Sequence, residues 1–221
     1  MNAFSAGGML SSALTPSLKE AWMRLHALSV LATIGVLCSL TSVASADVKV
    51  LVKTKTYDIS GTTGEALIES MDRNGPRHGF MARAIAQTSY TKDWDFDFVQ
   101  IKGSCRIKQA NGTLNLSFTY PHVASALLPA LDKRWARFFT GVRTHEETHG
   151  AIAREMMKAT EKSLTGLTTP DDTQCSKTRR EARRRIDAIF DEYEGKQNAF
   201  DAREHREGGH VEYLVDALAK S

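Results

Sequence analysis

Phe138, Val142, His145, His149, Ile152 and Met156 recur in steps of three and four, and inside that run the chain reads His145-Glu146-Glu147-Thr148-His149. The spacing predicts one long helix whose apolar, core-facing side carries both imidazoles. A single core histidine can be satisfied by an ordinary hydrogen bond. Two imidazoles one turn apart on a buried face each need a polar partner, and a shared Zn²⁺ supplies both at once. The carboxylate of Glu146, beside the first histidine, then stands where a metallopeptidase keeps its general base. A short string like this also arises by chance, so the rest of the chain has to supply the context.

The first 46 residues carry a targeting pattern. After Met23-Arg24, the run Leu25 to Cys38 contains no charge, and Ala44-Ser45-Ala46 follows. A basic start, an apolar stretch and an Ala-x-Ala site describe a secretory signal, with cleavage expected after Ala46 and export to the periplasm or the medium. The segment before Met23 is longer than such a signal needs, which makes Met9 or Met23 a candidate start. An uncleaved anchor is the alternative, although the apolar run is near the short limit for a span. Once cleaved, the protein is expected to have no stable membrane insertion. Cys38 lacks a lipobox, so no lipid anchor is expected.

Residues 47–221 are long enough for one domain with a single core. The formal net charge of the whole chain is only +3. The basic run Lys177 to Arg185 is interrupted by Glu181, with Asp187 just beyond, and has the spacing of a solvated helix face, so nucleic acid is not an expected partner. With Cys38 removed, Cys105 and Cys175 remain as an even pair in an oxidising compartment and are expected to form one disulfide. It would close a loop of about 70 residues around the motif helix, worth roughly 3 to 4 kcal/mol in the chain-entropy model. Two buried free thiols are the alternative.

Val48 to Tyr57 is β-branched and alternating, which predicts a strand. A short amphipathic helix is expected from Glu65 to about Met71, stopped near Asn74-Gly75-Pro76. Trp94, Phe96 and Phe98 alternate with Asp95 and Asp97 as in a half-buried strand. Asn111-Gly112 predicts a tight hairpin, with Leu114, Leu116, Phe118 and Tyr120 alternating beyond it. Three or four antiparallel strands are expected in this block. Thereafter the pattern is helical: Leu131 to Leu164 with Gly141 as a candidate kink, then about Gln174 to Glu194, then about Phe200 to Ala219. A small antiparallel sheet followed by long helices is an α+β fold, with the motif helix packed across the sheet in a zincin-like arrangement.

A catalytic zinc takes three protein ligands and leaves a fourth position open. The residues after His149, Ala151 to Glu155, lack the Gly and His of the compact metzincin pattern, and Glu155 is badly oriented for the same metal. The remaining donors cluster between Asn198 and His210.

Several stretches together resemble a bacterial family of predicted secreted zinc-dependent proteases. They are Tyr57-Asp58-Ile59-Ser60-Gly61-Thr62, Gly75-Pro76, Thr88, Trp94, the Cys105 and Cys175 pair, His145 to His149, and Asp201 to His205. Only the His-Glu motif among them is specific. The resemblance covers most of residues 47–221 and implies a third ligand in a C-terminal Asp…His-Gly segment. Here Arg206 follows His205 where the family has Gly, and the Asp-to-His spacing is shorter. His205 therefore ranks first as third ligand and Asp201 second, with His210 or Glu204 behind. A donor that does not ligate would orient one that does.

The expected activity is hydrolysis of a protein or peptide substrate by water activated at Zn²⁺, with Glu146 as general base. Glu147 points about 100° further round the helix and is a poor substitute. Tyr193, Arg203, His210 and Tyr213 are candidate oxyanion donors that the sequence does not separate. A zinc amidase acting on cell-wall peptide would use the same ligands. A non-catalytic metal-binding envelope protein is the other alternative: Arg206 favours it, and the intact Glu146 argues against it.

Overall fold

The computed structural model describes residues 47–78 and 82–220; the expected signal segment lies outside them. Among these residues the order of elements is β1 (Asp47–Ile59), α1 (Gly64–Asn74), β2 (Arg77–His78), β3 (Ala82–Arg83), β4 (Gln87–Ile101), β5 (Ser104–Val123), α2 (Pro129–Leu164), β6 (Thr168–Thr169), α3 (Ser176–Glu204) and α4 (His210–Ala219). The fold is α+β, as the sequence predicts. The Thr63 hydroxyl caps α1 by accepting from the Ala66 N–H at 3.1 Å, and Gly75-Pro76 ends that helix.

The sheet runs in the order β1-β5-β4, with β6 also paired to β5. It is mixed rather than antiparallel throughout. β4 and β5 are antiparallel, with Tyr90 opposite Leu116, whereas β1 lies parallel to β5, with Val50 opposite Leu114. Alternation along a strand reports which face is buried and carries no information about direction. Here the chain leaves β1 through α1 and the β2–β3 hairpin before it returns, the kind of long connection that parallel neighbours require.

The hairpin itself is displaced from its expected place. The turn between β4 and β5 is Lys102-Gly103, both at positive φ (48° and 81°), with Ile101 paired to Ser104. Asn111-Gly112 lies inside β5, where Gly112 is opposite Trp94. The reason for glycine there is packing. A Cβ on Gly112 would stand 2.8 Å from the Trp94 ring and 2.9 Å from the Met157 methyl.

The motif helix α2 packs along one face of this sheet. Leu116, Phe118 and Tyr120 of β5 meet Phe138 and Val142 of α2, together with Leu67 and Met71 of α1 and Leu214 and Leu218 of α4. Further along, Leu114 meets Ala153, Met156 and Met157. A close approach falls at Gly150, immediately after His149, where an added Cβ would lie 2.8 Å from Phe118 Cζ. α2 is continuous through Gly141, against which the Leu214 side chain packs.

α3 is longer than its sequence pattern predicts and α4 starts later. The chain stays helical through Gly195 to Glu204, because Gln197 and Phe200 are buried, and tertiary contact outweighs the weak propensity of one glycine. At its other end, α3 is tied to the sheet by the disulfide between Cys105 and Cys175, whose Cα atoms are 5.2 Å apart. The Asp172 carboxylate secures that end by accepting from the Thr178 N–H and hydroxyl, each at 2.8 Å. No described helix is long and apolar enough to cross a membrane.

Replacing both cysteines by serine should lower the unfolding free energy by about 3 to 4 kcal/mol in urea titration, because the loop they close spans 70 residues. Gly150→Leu should cost about 1 to 3 kcal/mol by the same measurement, since it forces the helix off the sheet.

Candidate metal centre

α2 and α3 run antiparallel, as successive contacts show: Gln197 meets His149, and further along Arg185 donates to the Ser163 carbonyl at 2.6 Å. This pairing brings the last turns of α3 over the motif turn of α2. Phe200 seats them together, its ring centroid 4.9 Å from that of His145 and 5.0 Å from that of His149.

Three donor atoms converge there. His149 Nε2 lies 3.2 Å from His145 Nε2 and 2.9 Å from Asp201 Oδ1, and His145 Nε2 lies 3.4 Å from the same oxygen. A tetrahedral ion with bonds of about 2.0 to 2.1 Å has ligand atoms about 3.3 Å apart, so this triangle has the dimensions of one face of such a site. The donor chemistry also suits it. Burial, with His149 nearby, pushes the His145 imidazole down to about 4, and so holds it in the neutral form that a metal ligand needs. Together, His145, His149 and Asp201 form a candidate metal-binding group, and two imidazoles with one carboxylate fit zinc.

Glu146 is 6% exposed, on the turn between the two histidines. Its Oε2 lies 2.6 Å from the Thr88 hydroxyl of β4, which is also 3.0 Å from the Glu146 carbonyl oxygen. Burial raises the Glu146 carboxyl above its ordinary value, and the bond from Thr88 opposes that rise without cancelling it. Glu146, Thr88 and the three converging residues all line one cavity of about 830 Å³. Other parts of its wall are apolar, at Ile85, Ala86, Phe138, Val142, Val211 and Leu214, and others polar or charged, among them Asp72, Arg83, Gln87, Tyr90, Glu194, Gln197, Asn198 and His205. The Tyr90 hydroxyl donates to Glu194 at 2.5 Å; burial and that carboxylate hold the phenol well above its usual value.

The sequence candidates fall into different places. Asp201, ranked second, supplies the converging oxygen from the last turn of α3. His205, ranked first, caps that helix and lines the same cavity; its Nε2 is 3.9 Å from Asp201 Oδ1 and it is outside the converging set. The helix bounds explain the difference. Because α3 runs on to Glu204, Asp201 faces α2 while His205 lies one turn further, at the rim. Glu204 faces Arg203, with 3.6 Å between Oε1 and Nε, and His210 begins α4, stacked on Tyr213. Among the described residues, none of Tyr193, Arg203, His210 and Tyr213 lines the cavity, whereas Tyr90 and His205 do.

The family comparison bears on the same stretch of chain. Residues 54–210 match the family model DUF922, described as a bacterial protein of unknown function. The chain belongs to DUF922. The match spans the motif turn, Asp201, His205 and both disulfide cysteines, so the whole candidate centre falls inside the DUF922 region. No curated protein and no solved structure matches the chain.

Sequence reasoning assigned no role to two partners of the centre. Gln197 contacts both the ring and the backbone carbonyl of His149, and Thr88 reaches Glu146 from 58 residues away. Neither has a local signal; only the α2–α3 and α2–β4 packing brings them in. Zinc titration of the full chain should register about one ion per chain. His149→Ala and Asp201→Ala should abolish that binding, and His205→Ala should leave it within a few-fold.

Proposed function

We propose that this DUF922 protein is an exported zinc-dependent metallopeptidase with Glu146 as its general base. One observation carries the reading: two imidazole nitrogens and one carboxylate oxygen converge at 2.9 to 3.4 Å on the wall of a cavity that also holds a buried carboxylate. A structural zinc site closes itself with four protein ligands and has no use for such a base. Here three ligands leave a position open, and Glu146 stands on the intervening turn.

A zinc ion held by His145, His149 and Asp201 would supply Lewis acidity, acidifying water and polarising a carbonyl. Glu146 would take the proton from the attacking water and return it to the leaving amine. Burial raises its carboxyl above the ordinary value, which makes it a stronger base. Thr88 holds Oε2 at 2.6 Å and so restricts rotation of the carboxylate while the proton moves. His205 lines the cavity and can donate to negative charge developing on the substrate, whereas the Tyr90 hydroxyl proton is held by Glu194. The apolar walls at Ile85, Ala86, Val142 and Leu214 suit the side chains of a peptide. Export is supported by the Cys105–Cys175 disulfide, a bond that persists in oxidising compartments.

Glu146→Gln should keep the zinc and lower turnover of a peptide panel by about 10²- to 10⁴-fold, measured beside zinc content on the same preparation. Full activity in that variant would overturn the assignment. Release of fragments from isolated cell wall, with the peptide panel untouched, would move the substrate to the wall amides.

A further inference from the structure

Of the two imidazoles, only one has its far side held by the protein. His145 Nδ1 is buried with no hydrogen-bond partner among the described residues. His149 Nδ1 lies 2.5 Å from Gln197 Oε1, and the other end of that amide donates through Nε2 to the His149 backbone carbonyl at 3.1 Å. Gln197 itself is 8% exposed and sits on the face of α3 that meets α2.

The second bond settles which way round the amide lies. Flipped, it would set an oxygen against the His149 carbonyl oxygen, two acceptors with no proton between them. With the amide so fixed, an acceptor faces Nδ1, which must carry the proton, and a neutral His149 then presents its lone pair at Nε2. That is the atom 2.9 Å from Asp201 Oδ1 and 3.2 Å from His145 Nε2.

We propose that Gln197 is the positioning residue of the centre: it commits His149 to ligation through Nε2, and it sets the reach of α3 so that Asp201 meets the same point. The second half follows from the helix. Asp201 lies four residues beyond Gln197, about one turn, so two bonds from Gln197 to the His149 turn pin the neighbouring turn of α3 as well. A carboxylate usually stands behind a metal-bound histidine. Here a neutral amide does so, fixing the tautomer without adding charge. It also bonds the backbone of the ligand turn, which a carboxylate, having no proton to donate, cannot do. This assignment rests on the metal reading above, and the two can fail separately.

The test pairs ¹⁵N NMR of the His149 ring in the zinc-loaded full chain, which reports the ring nitrogen that ligates, with zinc affinity by chelator competition. The wild type should show His149 ligating through Nε2 with the proton on Nδ1. Gln197→Met should give mixed tautomers and bind zinc about 10- to 100-fold more weakly, at unchanged far-UV circular dichroism. Gln197→Glu, which can still accept from Nδ1 but cannot donate to the His149 carbonyl, should restore the tautomer and only part of the affinity. A purely structural role would move stability and leave the tautomer alone. Wild-type tautomer and affinity in Gln197→Met overturn the assignment while leaving the metal reading intact; a wild type that binds no zinc sinks the metal reading first. Should Gln197→Met fail to fold, Gln197→Glu decides: mixed tautomers in that variant also overturn the assignment.

Discussion

Close contact between α2 and β5 sets the geometry of the molecule. Leu114, Leu116 and Phe118 face the helix, and Gly150 brings its backbone onto the Phe118 ring. A helix pressed this tightly against a sheet cannot rotate without separating the two layers. The rotation that buries Val142, Ala153 and Met156 therefore also fixes where His145, Glu146 and His149 point. Thr88 can reach Glu146 only because β4 is the next strand over from β5.

The second constraint is α3 lying back along α2. Its start is fastened to the sheet by the Cys105–Cys175 bond and held by the Asp172 carboxylate, and its end is seated by Phe200 against both imidazoles. A helix of 29 residues held at both ends delivers Gln197 and Asp201 to the motif turn with little freedom. The candidate centre is thus built where two antiparallel helices meet on the wall of a cavity, with two candidate ligands on one and one on the other. Such a site rests on regular elements rather than on loops, which favours fixed ligand positions.

Much of this was legible in the residues. The motif helix, the strands carrying Trp94 to Phe98 and Leu114 to Tyr120, and the cysteine pair could all be read from local periodicity and residue chemistry. The errors share one cause. Asn111-Gly112 has the composition of a turn, yet a glycine is equally required where an indole from the neighbouring strand lies over the backbone. Gly195 looks like a helix end, yet buried neighbours carry the helix through it. Strand direction was invisible, because alternation is the same read either way.

By itself, the sequence determined which residues could bind a metal and that two of them share a helical face, because a spacing of four is a property of the helix alone. The third donor was a different kind of question. Asp201 and His205 are four residues apart and chemically both acceptable, and nothing near either of them says where α3 ends or which way it faces. That depends on Gln197 and Phe200 packing against a helix some fifty residues earlier in the chain. Packing across such a distance is decided by shape and hydrogen bonding between surfaces that exist only once both helices have folded, so only the tertiary structure could bring Asp201 into the converging set.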